Sequence, residues 1–106
     1  MGQEPRAVIW AASALEDLVT VLENAAHHTP GLERTLYEAV IVAADKLATL
    51  SERARVVPEL RDQRTREIFV RDYRLMYEVH PDRVAIVAFV YGGRDFVTWW
   101  RERRER

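Results

Sequence analysis

The sequence predicts an α+β fold: an N-terminal antiparallel helix hairpin packed on one face of an antiparallel sheet of three to four strands, with a short strand before the hairpin and a short C-terminal helix. Three patterns carry this expectation. Apolar residues recur at helical spacing between Ser13 and Leu50, with one break at His27-His28-Thr29-Pro30-Gly31. From Arg66 to Val79 (REIFVRDYRLMYEV) the period drops to two, as it does on a strand. Val84–Tyr91 (VAIVAFVY) is then almost continuously apolar, as expected of a strand covered on both faces.

In chain order, Ala7–Trp10 is a short apolar run suited to a first strand. Ser13 with Glu16 three residues on has the form of a capping box, opening a helix to about Ala26 whose stripe is Leu15, Leu18, Val19 and Leu22. Thr29 is the expected cap of the second helix, with Pro30 in its first turn, where a missing N–H costs little. Leu32, Leu36, Val40, Ala43, Leu47 and Leu50 form that helix's stripe, and the short break predicts an antiparallel pair. Pro58 pushes Val57 out of helical space, so Arg55–Leu60 is expected to be extended, followed by a polar loop over Arg61–Thr65.

Arg71-Asp72 is the expected tight turn of a hairpin within Arg66–Val79. One face of that hairpin carries aliphatic and aromatic bulk; the other carries Arg74 and Glu78 and is expected to be a working surface. His80–Arg83 makes the next turn, Gly92-Gly93 ends the last strand, and Arg94–Arg106 forms the final helix, with Trp99 and Trp100 apolar and the arginine-glutamate end solvated.

The 106 residues suit one domain, 1–106. Without cysteine, disulfides, thiolate chemistry and cysteine metal sites are excluded. His27, His28 and His80 show no ligand spacing, so neither a metal nor a cofactor is expected. No apolar run approaches the roughly 20 residues of a membrane span, and the start of the chain lacks a signal-peptide pattern. A cytoplasmic protein follows as the expectation. The net charge of −1 is divided unevenly: residues 1–53 hold eight acids and four bases, residues 54–106 nine acids and twelve arginines. The second half is therefore expected to meet something negatively charged, through guanidinium groups suited to carboxylates or phosphates.

The run from Leu47 to Val79, LATLSERARVVPELRDQRTREIFVRDYRLMYEV, resembles toxins of the ParE/RelE superfamily of type II toxin–antitoxin modules. Arg55 before Val-Pro-Glu-Leu, Arg66-Glu67 with Val70, Tyr73-Arg74 with Tyr77, and Val90-Tyr91-Gly92-Gly93-Arg94-Asp95 carry the resemblance. It implies a growth-inhibiting toxin, held by a cognate antitoxin in a hetero-oligomer, of a superfamily divided between ParE-type poisons of DNA gyrase and RelE-type mRNA endonucleases that work on the ribosome. The pattern is more similar to the ParE branch. The hairpin offers Arg66, Arg71 and Arg74 where RelE-like nucleases present lysine or histidine, and Tyr91 and Gly93 stand where many relatives differ.

Two site readings follow. Cleaving RNA through its 2′-hydroxyl needs a base, an acid and cations on the developing charge. Glu59 as base, Arg66 and Arg74 as phosphate clamps and Tyr91 as proton donor are the candidates. Against them, arginine is a poor proton donor, with a pKa above ~12. For a toxin that acts by binding, Arg66, Arg71, Arg74, Tyr91 and Arg94 are the expected target contacts. Leu36 and Val40 of the second helix are the expected antitoxin contacts, together with Trp99 and Trp100, one anchoring a partner and the other packing the last helix.

Overall fold

In the computed structural model, which describes residues 4–60 and 62–104, the first strand hands the chain directly to the first helix. Strand β1 (Ala7–Trp10) is followed by α1 (Ala12–His28) with Ala11 alone between them. Ala11 serves both elements: its N–H donates to the Ile86 carbonyl, and its own carbonyl accepts from Leu15 N–H. That handover replaces the expected capping box. Ser13 lies inside the helix, and no side chain caps it. His27 and His28, expected to break α1, are its last two residues.

The second helix, α2 (Leu32–Leu50), by contrast starts later than its sequence suggests. Gly31 is its N-cap at φ 96°, a left-handed conformation that suits glycine, and the Gly31 N–H donates to the Glu33 carboxylate at 3.1 Å. Thr29 and Pro30 therefore belong to the turn rather than to the helix start.

Five strands form one sheet in the order β1-β5-β4-β3-β2, with β2 at Arg55–Val56, β3 at Thr65–Val70, β4 at Tyr73–Val79 and β5 at Arg83–Tyr91. All neighbours are antiparallel except β1, which runs parallel to β5, so the sheet is mixed. The extended stretch after α2 shrinks to two residues, because Leu60 N–H turns back to the Val57 carbonyl. Arg71 takes φ 55° in the β3–β4 turn, an unusual conformation for a residue other than glycine and one that a two-residue hairpin loop demands. Arg61, Glu105 and Arg106 lie outside the described residues, so the expected polar loop is followed from Asp62 and the last helix, α3, is Phe96–Arg104.

A bulge decides how β5 is used. Met76 pairs with Ala88 and Tyr77 with Ile86, leaving Val87 as the extra residue. Val84, Ile86 and Phe89 thereby join Leu75, Tyr77 and Val70 against α1 and α2, where Ala14, Leu18, Leu36, Val40 and Leu47 complete the main core. Ala88 and Val90 turn to the opposite face with Met76 and Val57, and α3 closes that second cluster with Phe96. No described helix is long and apolar enough to cross a membrane.

Candidate functional site

Arg74, expected on an open surface, is 4% exposed. It sits on the face of the sheet beneath α3, and the β3–β4 register brings Glu67 diagonally beside it. Arg74 Nε donates to Glu67 Oε1 at 2.6 Å, while its terminal nitrogens donate to both oxygens of Glu59 at 2.8 and 3.2 Å. Arg55, on β2, donates to the second oxygen of Glu67 at 2.6 Å. The Phe96 ring of α3 lies 4.4 Å from the Arg74 guanidinium carbon, closing the group with a cation–π contact. Burial alone would lower the Arg74 pKa, but the bonds to Glu59 and Glu67 outweigh it and hold the pKa above its usual value. The bond from Arg74 in turn holds Glu59 below the ordinary carboxylate value, against a smaller opposing effect of burial. Two guanidiniums and two carboxylates thus neutralise one another, a locked arrangement rather than a proton-transfer pair.

Arg66 lies at the other end of β3. Its Nη1 donates to the carbonyls of Ala54 and Glu52 at 2.8 and 3.3 Å, and its Nε is buried without a hydrogen-bond partner among the described residues. Across the ladder, Tyr77 is fully buried and donates its hydroxyl to the Ser51 carbonyl at 2.7 Å. Burial pushes the Tyr77 pKa up to about 12, with the Arg66 charge acting weakly the other way.

Tyr91 ends β5 and is 55% exposed. Gly92 N–H donates to the Asp72 carbonyl at 2.8 Å, joining the exit of β5 to the β3–β4 turn and so gathering Arg71, Tyr91 and Arg94 at one end of the sheet. A Cβ at Gly92 would lie 3.0 Å from the Phe69 ring and 3.1 Å from the Asp72 carbonyl, a tight approach that glycine accommodates without a shift of its neighbours. The expected target contacts are therefore divided: Arg71, Tyr91 and Arg94 share one end of the sheet, with Arg71 lining a different cleft from the other two, Arg66 is remote, and Arg74 is interior. The nuclease set divides too. Glu59 and Arg74 share one ion pair, and Arg66 and Tyr91 stand near opposite ends of the sheet.

The expected antitoxin contacts need correction. Leu36 and Val40 are 3% and 0% exposed and face the sheet, because α2 uses that stripe for the main core. Trp99 and Trp100 both pack around Phe96, with ring centroids 6.0 and 5.6 Å from it, and both stay half-buried. An apolar groove opens instead between α2 and β3, about 760 Å³ in volume, with Ala39, Val42, Leu50, Ile68 and Phe69 among its lining. Val42 is more than half exposed there. β2 covers β3 only opposite Arg66 and Glu67, which leaves the outer edge of β3 open from Ile68 onward. Lys46, Arg53 and Arg71 also line the groove, and none has an ion-pair partner among the described residues; Glu38 is the one acid beside them. The signal in the sequence was Val40-Ile41-Val42: three consecutive apolar residues on a helix cover more than one face.

These features define a class of small α+β proteins in which a helix hairpin backs a mostly antiparallel sheet and a groove remains open between helix and strand. A family model described as the ParE toxin of the type II toxin–antitoxin system, parDE, matches residues 8–96, and the chain belongs to that family. Among solved structures, a chain of the "Chromosomal ParDE TA system from P. aeruginosa" has a similar fold, with a TM-score of 0.71 at 11% identity, covering 84% of this chain and 98% of that one. No curated protein sequence matches.

Proposed function

We propose that this protein is a growth-inhibiting toxin of the cytoplasm that acts by binding DNA gyrase and is neutralised by a cognate antitoxin seated in the α2–β3 groove. The observation that carries the target reading is the separation of the nuclease candidates: Arg74 is neutralised inside the sheet by Glu59 and Glu67, while Arg66 and Tyr91 do not converge with them. The end of the sheet bearing Arg71, Tyr91 and Arg94 is the surface offered to the target. Family membership supports the toxin reading, and the groove supports the antitoxin, whose occupying segment would be an amphipathic helix with acidic residues opposite Lys46, Arg53 and Arg71.

The purified chain at micromolar concentration is expected to inhibit gyrase supercoiling or to leave cleaved DNA. If it does neither, and primer extension after induction instead finds codon-positioned breaks in mRNA, the ribosome-dependent nuclease replaces this reading. Val42→Asp tests the groove separately. Val42 is exposed, so the variant should fold normally, yet a carboxylate forced into an apolar interface should weaken capture of the co-expressed antitoxin about 30-fold or more. Unchanged capture would move the antitoxin elsewhere.

A further inference from the structure

Between α1, the ends of β4 and β5, and α3 lies a second cleft, about 420 Å³ in volume, within the range of small-ligand sites. Its walls are fixed from within. Asp17 accepts from Phe89 N–H at 3.0 Å and from Arg103 at 2.9 Å, and Arg103 also donates to the carbonyl of the bulge residue Val87 at 2.8 Å. Tyr73 stacks on Phe89 with centroids 5.1 Å apart, and Tyr91 meets Tyr73 edge-on at 6.0 Å. Two guanidiniums approach the Trp99 ring, Arg103 at 4.8 Å and Arg94 at 5.9 Å.

What faces the opening has ring contacts but polar groups still to satisfy. The side chains of Thr20, Asn24, Tyr73, Tyr91 and Arg94 line the cleft, and none has a hydrogen-bond or ion-pair partner among the described residues. Glu16 adds a free carboxylate at the same place. Tyr91 is also placed by its neighbour. A Cβ on Gly93 would lie 2.5 Å from the Tyr91 ring, so glycine at this position is what lets the ring lie back over its own turn while remaining exposed. Exposed aromatic faces suit a flat heterocycle. Amide, hydroxyl and carboxylate groups suit the polar edge of one, and an unpaired guanidinium suits a phosphate. Few ligands carry all three features together.

We propose that this cleft binds a nucleoside monophosphate unit, its base stacked on Tyr91 and its phosphate on Arg94, either as a free nucleotide or as an unpaired residue of a nucleic acid. The assignment concerns the isolated chain and does not depend on the gyrase reading, so either can fail without the other.

Trp99 lines the cleft, so tryptophan fluorescence of the purified chain reports occupancy. AMP, adenosine, inorganic phosphate and a short oligodeoxyadenylate are the probes. AMP is expected to bind about tenfold or more tightly than adenosine, because one charge-assisted contact is added, and phosphate alone should not saturate. Arg94→Ala should reduce AMP to the level of adenosine. Tyr91→Leu should weaken both about tenfold or more, Tyr91→Phe should preserve both, and Gly93→Ala should follow Tyr91→Leu because its new methyl displaces the ring. Tighter binding of the oligonucleotide identifies nucleic acid as the source, and equal binding identifies the free nucleotide. The assignment is overturned if neither AMP nor the oligonucleotide gives a saturable signal, or if the affinity is indifferent to Tyr91→Leu and Arg94→Ala in variants that melt like the parent chain.

Discussion

The face of the sheet that meets α1 and α2 is closed by apolar area, whereas the face beneath α3 is closed around charge. Against the helix pair, Leu36, Val40, Leu75, Ile86 and Phe89 pack together, and the buried Tyr77 hydroxyl is satisfied by the Ser51 carbonyl. Under α3 the apolar cluster is small, and beside it Glu67 and Arg74 are as buried as the core. Apolar burial contributes in proportion to area, at about 25 cal/mol per Å². A buried ion pair contributes little net stability but is costly to break by halves. The helix-pair face therefore supplies stability, and the α3 face supplies a unique arrangement: Arg55, Glu59, Glu67, Arg74 and Phe96 fit together only when β2, β3, β4 and α3 are all in place.

The sharpest way to break this contrast is to remove one member of the network. Arg74→Met leaves Glu67 buried with only Arg55 to answer it, and about 3–5 kcal/mol of unfolding free energy should be lost in chemical denaturation. Adding Glu67→Leu should recover most of that loss, since Arg55 and Glu59 are exposed enough to find water. A single variant that loses less than about 1 kcal/mol would show that charge does not close this face.

On the other face no second substitution should rescue the first. Leu36→Ala is expected to cost about 3 kcal/mol through lost contacts and a cavity, with no dependence on salt. A pronounced salt dependence would mean that the two faces are coupled and that the contrast is false.

The sequence made the elements legible because period and punctuation are local. The switch from helical to alternating spacing located both helices and the hairpin, and Gly92-Gly93 marked the exit of β5. What it could not supply was which faces become covered. Arg74 alternates with Leu75 on β4, and alternation alone assigns it to an exterior; only α3, reached through a β5 whose register shifts at Val87, makes that exterior an interior. Glu67 entered only as part of the family pattern and in neither site reading for the same reason, since its partners Arg55 and Arg74 come from two other strands. Leu36 and Val40 were correctly seen as a stripe, but a stripe does not say whether sheet or partner covers it. The caps were misplaced because Ala11 and Gly31 act through backbone geometry, which a search for capping side chains does not detect.

Smaller effects separate the faces by pH. Tyr77 ionises with its pKa raised from the usual 10 to about 12 by burial, so the unfolded chain releases that proton first. Stability from this group is full below pH 10 and should fall as pH rises toward 12. Tyr77→Phe should cost about 1 kcal/mol at neutral pH, where the bond to Ser51 is lost, and should flatten the alkaline decline. An equally steep decline in the variant would assign it to other groups.

The smallest effect belongs to Glu59, at the edge of the α3 face, and runs in the opposite direction. Arg74 holds its carboxylate below the ordinary value of 4.5, so its contribution is present above that pH and is lost as pH falls through the depressed value. Because Glu59 is partly exposed, water screens the pair, and Glu59→Gln should cost no more than about 1 kcal/mol at neutral pH. Its diagnostic is location. Trp100 stacks on Phe96, which in turn covers Arg74, so acid should alter tryptophan emission before the helical signal of α1 and α2 collapses, and the glutamine variant should show that early change already at neutral pH. Simultaneous loss of both signals in the parent chain would mean that α3 does not loosen separately, and that the charged face and the apolar face unfold as one unit.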